Sequence, residues 1–108
     1  MLNETHELRY LPLFYEELDE RVSYIAFNLE NPVAANNLMD DVESAILKRL
    51  EEGPSIFEPV PSQKNRVPYY RIYVKNYVIY YVVLEENGKK IMEVRRFLHT
   101  LEDRDHKI

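Results

Sequence analysis

The sequence predicts an α+β domain of order β-α-α-β-β-β, with an N-terminal strand and an antiparallel helical hairpin packed on a four-stranded, mainly antiparallel sheet. Three observations carry this. Apolar residues recur at steps of three and four from Phe14 to Leu50, the period of amphipathic helices. Residues 69–99 instead hold three runs of β-branched and aromatic side chains, with six of the nine tyrosines between residues 69 and 81, which is strand chemistry. At 108 residues and 45% apolar content the chain makes one compact domain, residues 1–108, and the economical packing buries the hairpin against one side of the sheet.

His6 to Leu11 reads as the first strand, with Leu8 and Tyr10 apolar and Pro12 interrupting it. From Phe14 the period changes: Phe14, Leu18, Val22, Ile25 and Leu29 mark a helix. Glu16, Glu17, Asp19 and Glu20 fall in its first turns, where negative charge suits the helix dipole. Asn31-Pro32 stops that helix and starts the next, Asn as cap and Pro in the first turn. The second helix runs from Pro32 to Glu52, with Ala35, Leu38, Met39, Val42, Ile46 and Leu50 on one face, and Gly53-Pro54 ends it. Ser55 to Pro68 has three prolines and no period, so it reads as a loop. Strands follow at Tyr69–Lys75, Tyr77–Leu84 and Ile91–His99. Asn87-Gly88 joins the last two as a tight hairpin, since both residue types accept positive φ. The charged end, Thr100 to Ile108, reads as a short helical turn or a frayed tail.

Composition narrows the function. There is no cysteine, which excludes disulfides and thiolate chemistry and fits a cytoplasmic location. The N-terminus lacks the pattern of a secretory signal. The longest apolar run, Tyr77 to Leu84, is far short of the ~20 residues that cross a bilayer as a helix, so no membrane partner is expected. The net charge of −5 divides into −8 over residues 1–53 and +3 over residues 54–108. An acidic body with a basic strip docks an anion locally and is poorly suited to coating nucleic acid non-specifically.

Plain alternation sorts the strands into faces. Tyr70, Ile72 and Val74 form a core face, leaving Tyr69, Arg71, Tyr73 and Lys75 on an open one. In the last strand Met92, Val94, Arg96 and Leu98 share one face, and Glu93, Arg95 and Phe97 the other. Arg96 then reads equally as a paired structural arginine or a functional one. An open face bearing Arg71, Tyr73, Lys75 and Arg95 offers cations for phosphate and phenols for stacking or proton donation. The bland reading of the tyrosines is β-propensity and packing. His99, beside Arg95 and Arg96, has the chemistry of a general acid or base, although a lone histidine at a strand end is more often structural. His99, Asp103, Asp105 and His106 match no tight metal spacing, and glycine-rich phosphate loops and Gly-x-Ser-x-Gly settings are absent. No metal or other cofactor is expected.

The hairpin followed by Tyr70-Arg71-Ile72-Tyr73-Val74, Asn76-Tyr77-Val78-Ile79-Tyr80-Tyr81-Val82-Val83 and Val94-Arg95-Arg96-Phe97-Leu98-His99 resembles the RelE/ParE superfamily of bacterial type II toxins. The motifs are short, and their order and spacing carry the likeness. The resemblance implies a toxin neutralised by a cognate antitoxin protein, with DNA contacted only through the antitoxin complex. RelE-like members cut ribosome-bound mRNA with a basic set and a terminal tyrosine or histidine; ParE-like members are associated with poisoning DNA gyrase. Arg71 falls where a RelE-type catalytic lysine is expected, but Tyr73, Val78 and Phe97 occupy further positions of that set, and no tyrosine follows Tyr81. Arg96-Phe97-Leu98-His99 is similar to the Arg-Val-Leu-His ending of ParE-like chains. The expectation is therefore a ParE-like toxin acting on gyrase. The alternatives are a ribosome-dependent endonuclease, with Arg71, Arg95, Arg96 and His99 as candidate catalytic residues, and a non-toxic interaction module. Tyr73, Lys75 and Arg104 are the expected target contacts.

Overall fold

A computed structural model describes residues 6–61 and 67–103, with the backbone alone at Glu102 and Asp103. The elements are β1 (His6–Tyr10), α1 (Pro12–Ser23), a π-helical turn (Tyr24–Asn28), α2 (Pro32–Glu52), a 3-10 turn (Pro54–Ile56), β2 (Tyr69–Val74), β3 (Tyr77–Glu86), β4 (Lys89–His99) and the short α3 (Thr100–Asp103). The strands lie in the order β1-β4-β3-β2. The β2–β3 and β3–β4 pairs are antiparallel, while β1 runs parallel to β4, so the sheet is mixed.

The second helix has the bounds its sequence dictates. Asn31 Oδ1 accepts the Ala34 N–H at 3.1 Å, Pro32 occupies the first turn, and Gly53 closes the helix at φ 104°, a conformation that favours glycine. The first helix is shorter than its apolar period suggests. It starts at Pro12 with no acidic residue in its first turn, so Glu16 and its neighbours sit further along than the dipole argument assumed. Beyond Ser23 the backbone widens: Leu29 N–H donates to Tyr24 C=O at 3.1 Å and Asn31 N–H to Ile25 C=O at 3.1 Å. Glu30 at φ 51° then reverses the chain. The wide turn keeps Ile25 packed on the core and turns Tyr24 and Phe27 outward.

The main core lies between helices and sheet. Phe14 of α1 and Leu38, Val42 and Ile46 of α2 pack on Ile72, Val74, Ile79, Tyr81, Met92, Val94 and Phe97. Tyr81 pins the end of α2 to the sheet: its hydroxyl donates to Pro54 C=O at 2.8 Å and accepts from Arg49 Nη1 at 2.9 Å. Arg49 also stacks 3.6 Å from the Phe57 ring centroid and reaches Arg71 C=O at 3.3 Å. Hydrogen-bonding both sides of a buried hydroxyl is what makes its burial tolerable.

The β3–β4 register corrects the faces drawn by alternation. Tyr80 pairs with Arg96 and Tyr81 with Val94, leaving Arg95 unopposed in a β-bulge. One extra residue inverts the phase beyond it. Phe97, opposite Ile79, therefore joins the helix-side core, and Leu98, opposite Val78, joins the other side. Lys75 is likewise not on the strand face; it occupies the two-residue β2–β3 turn at φ 53°. Asn87 at φ 53° and Gly88 at φ 79° form the tight β3–β4 turn, as the dipeptide demands.

Removing the Tyr81 hydroxyl leaves the Pro54 carbonyl without its donor, so Tyr81→Phe should lose about 1–3 kcal/mol of stability by urea or thermal unfolding near neutral pH. Burial, the largest effect on the phenol and opposed by Arg49, raises its pKa in the fold. A raised folded pKa gives stability that is full below the unfolded value near ~10 and declines as pH rises through the folded one. The gap between wild type and Tyr81→Phe should accordingly narrow above about pH 10.

Candidate functional site

Cross-strand partners share a face, which places Arg71 (opposite Tyr80), Tyr69 (opposite Val82) and Glu93 (opposite Val82) together on the side away from the helices. The bulge puts Arg95 on that same side: its Nη1 donates to the Tyr69 hydroxyl at 3.0 Å and its Nε to Glu93 Oε1 at 2.7 Å. Arg71 and Arg95 thus do share a face, with the Arg71 guanidinium 5.8 Å from the Tyr73 ring centroid. That face is not the open cationic front alternation suggested. Val78, Tyr80 and Leu98 are buried on it beneath Val60 and Tyr69, and Val60 N–H donates to Tyr69 C=O at 2.6 Å. Val60, in the described part of the Pro-rich loop, packs over the middle of the sheet.

Most of the candidate cations are already neutralised. Glu93, 4% exposed, sits between two guanidiniums: Arg95 at 2.7 Å and Arg9, whose Nη2 lies 2.6 Å from Glu93 Oε2. Arg9 extends the chain to Glu86 at 3.0 Å, and its hydrogen bonds hold the Glu86 carboxyl below the usual range. Burial works against the charge of Arg95, yet its bonds to Tyr69 and Glu93 leave its pKa raised. A carboxylate this buried is tolerable only with such partners. Arg96 turns around the edge of β4 to Glu17 of α1, Nη2 to Oε2 at 2.6 Å. Lys75 reaches Asp41 of α2 at 2.9 Å, away from Arg71 and Tyr73. Among the described residues Arg71 makes no ion pair.

His99 lies at the far end of β4, in a small cleft with Glu20, Arg21 and Tyr77. Its ring meets Tyr77 edge-on at 5.4 Å and its Nδ1 accepts the Leu101 N–H at 3.1 Å. An Nδ1 that accepts assigns the neutral ring to the Nε2–H form. The structure therefore separates the four catalytic candidates: Arg71 and Arg95 on one face, Arg96 at the sheet edge and His99 at the strand end. Arg104, Asp105, His106 and the side chain of Asp103 lie outside the described residues, as do Lys64 and Arg66.

Sequence reasoning missed Glu17, Glu93 and Arg9, which organise this chemistry. β4 pairs with β1 only as far as Val94, which leaves the edge of its last residues without a strand. Glu17 takes the strand's place, with Oε1 accepting the Phe97 N–H at 2.9 Å while the same carboxylate holds Arg96. Sequence offers no signal for a pair 80 residues apart. Among the described residues, a groove on the helical side between α1 and α2 is lined by Tyr15, Leu18, Val22 and Met39 together with Glu16 and Asp19. Its form suits the apolar face of an amphipathic helix with basic flanks.

The comparisons with known proteins agree with this architecture. Residues 8–104 match the family model for the ParE toxin of the type II toxin–antitoxin system parDE. A solved chain of the chromosomal ParDE toxin–antitoxin system from P. aeruginosa superposes with a TM-score of 0.67 at 16% identity, covering 88% of this chain and 96% of that one. No curated protein matches.

Glu17→Ala should cost about 1–3 kcal/mol, because the Phe97 N–H loses its acceptor and the Arg96 guanidinium its carboxylate. Glu17→Gln keeps an acceptor and should recover part of the loss. Amide exchange at Phe97, measured by NMR, should accelerate in the Ala variant more than at Val78 or Ile79.

Proposed function

The chain belongs to the ParE toxin family of type II toxin–antitoxin systems, and on that premise we propose that it arrests growth by binding DNA gyrase while a cognate antitoxin holds it inactive. The observation that supports binding over bond cleavage is the state of the cations. Arg95, Arg96 and Lys75 are each matched to a carboxylate, and His99 is remote from Arg71 and Arg95 across the sheet. Phosphodiester cleavage needs unpaired cations converging on one phosphate with an acid or base in reach. An arginine committed to a buried carboxylate does not supply that.

The antitoxin is assigned to the helical groove. A segment that folds on binding gains from an apolar groove, and Tyr15, Leu18, Val22 and Met39 line such a groove. Glu16 and Asp19 in its lining select basic residues beside the partner's apolar stripe. Among the described residues, Arg71 with the exposed ring of Tyr73 is the feature that favours the endonuclease alternative, since a guanidinium over a phenol is also a base-stacking pair.

With the purified chain, gyrase supercoiling should be inhibited while ribosome-bound mRNA stays intact. Unaffected gyrase together with codon-phased cuts that vanish in Arg71→Ala would install the endonuclease reading instead, and harmless over-expression without antitoxin would leave an interaction module. Reversing the groove's charge and breaking its apolar lining with Asp19→Lys and Met39→Lys should weaken antitoxin binding about tenfold or more, read as growth arrest that co-expressed antitoxin no longer relieves.

A further inference from the structure

The turn between the helices and the first turn of α2 carry four large apolar side chains in the solvent: Phe27 77% exposed, Val33 68%, Leu29 56% and Tyr24 44%. Scattered exposed apolar residues need no explanation, but four within ten residues at the end of a helical hairpin do. We propose that this knob is the surface through which the chain grips the protein it poisons, a folded partner offering an apolar recess with a basic rim. The proposal rests on the toxin reading above and assigns that activity a surface separate from the antitoxin groove.

Position argues first. The knob is the end of the helical hairpin and is braced by hydrogen bonds of its own backbone. Leu29 N–H and Asn31 N–H close the wide turn on Tyr24 C=O and Ile25 C=O, Asn31 caps α2, and Pro32 follows. The Arg21 guanidinium lies 5.7 Å from the Tyr24 ring and 5.8 Å from the Tyr77 ring, which ties the turn to the start of β3. Burying a preorganised turn loses little conformational entropy. The end of a helical hairpin fits a preformed hollow, which a folded protein has and a segment that folds on binding lacks. Single-turn π segments inside helices also recur at functional positions.

Charge then chooses among folded partners. Residues 12–52 carry ten acidic and three basic side chains, and Glu20, one helical turn before Tyr24, and Glu30, next to Leu29, are both exposed. Two copies meeting tip to tip would set these like charges against each other. A basic rim on the partner complements them. Antitoxin and target thus read different features of one hairpin, a groove between its helices and a knob at its end.

The test expresses the full chain without antitoxin and counts surviving colonies, first for wild type. A harmless wild type would remove the toxin reading itself. If wild type arrests growth, Phe27→Asp and Phe27→Ser should each restore survival by about thirtyfold or more, the scale of losing an aromatic anchor, and Val33→Asp should act alike. Because these side chains are exposed, their melting temperatures should stay near that of wild type and co-expressed antitoxin should still bind them. Growth arrest undiminished in folded Phe27→Asp and Val33→Asp overturns the proposal while leaving the toxin reading intact. So does loss of antitoxin binding in those variants, or a wild-type dimer in sedimentation that Phe27→Asp dissolves.

Discussion

A single unopposed residue, Arg95, governs the second half of this sheet. Without the bulge, Phe97 would leave the stack it makes with Tyr77 at 4.9 Å and its edge contact with Phe14 at 6.2 Å, and Leu98 would turn toward the helices. With it, the helix-side core closes and Arg95 is delivered to Glu93 and Tyr69 on the opposite side. The bulge is in turn stabilised by what it brings together. Glu93 accepts from Arg9 of β1 and Arg95 of β4, so one buried carboxylate ties the parallel edge strand to the irregular one. Just beyond it β1 ends, and Glu17 covers the remaining edge of β4. An exposed strand edge invites mispairing, and here a helical carboxylate takes the place of a strand.

Local chemistry was legible where a residue type dictates its own backbone. Asn31-Pro32, Gly53 and Asn87-Gly88 mark boundaries because each tolerates or enforces a particular φ, and the helical and strand periods between them follow from burial on one face. The first helix was overextended for a related reason: Ile25 and Leu29 keep the apolar period, and a π turn preserves the inward position of Ile25 while changing the hydrogen-bond pattern, which side-chain period does not report. The faces of β4 failed beyond Val94 because alternation assumes an unbroken ladder, and Arg95 carries no sign of being the extra residue.

The candidate site was less legible than the fold, because a cation's availability depends on distant acids. Arg71, Arg95, Arg96 and Lys75 look alike in sequence. Their partners come from β4, α1 and α2, and only topology reveals that three of them are taken. The acidic first half of the chain is therefore more than a solvated surface. Glu17 and Asp41 leave the helices to neutralise the basic second half, and the −8 and +3 of the two halves are partly cancelled within the fold. This favours a surface defined by shape and apolar area over one defined by phosphate-binding charge.

What remains unspent on the helices is the acidity facing solvent and the apolar surface it surrounds. Folding has no use for Phe27 or Val33, since their burial contributes nothing to either core cluster, and Met39 lies outside both. If stability alone shaped this hairpin, polar residues at those positions would serve as well and reduce the risk of association. Acidic neighbours limit that risk without removing the apolar area, an arrangement in keeping with the proposed binding of partners through the helices. On the proposed reading, a groove and a knob on the same pair of helices permit one occupant to control the other: an antitoxin in the groove need only overhang the tip to deny it to a target.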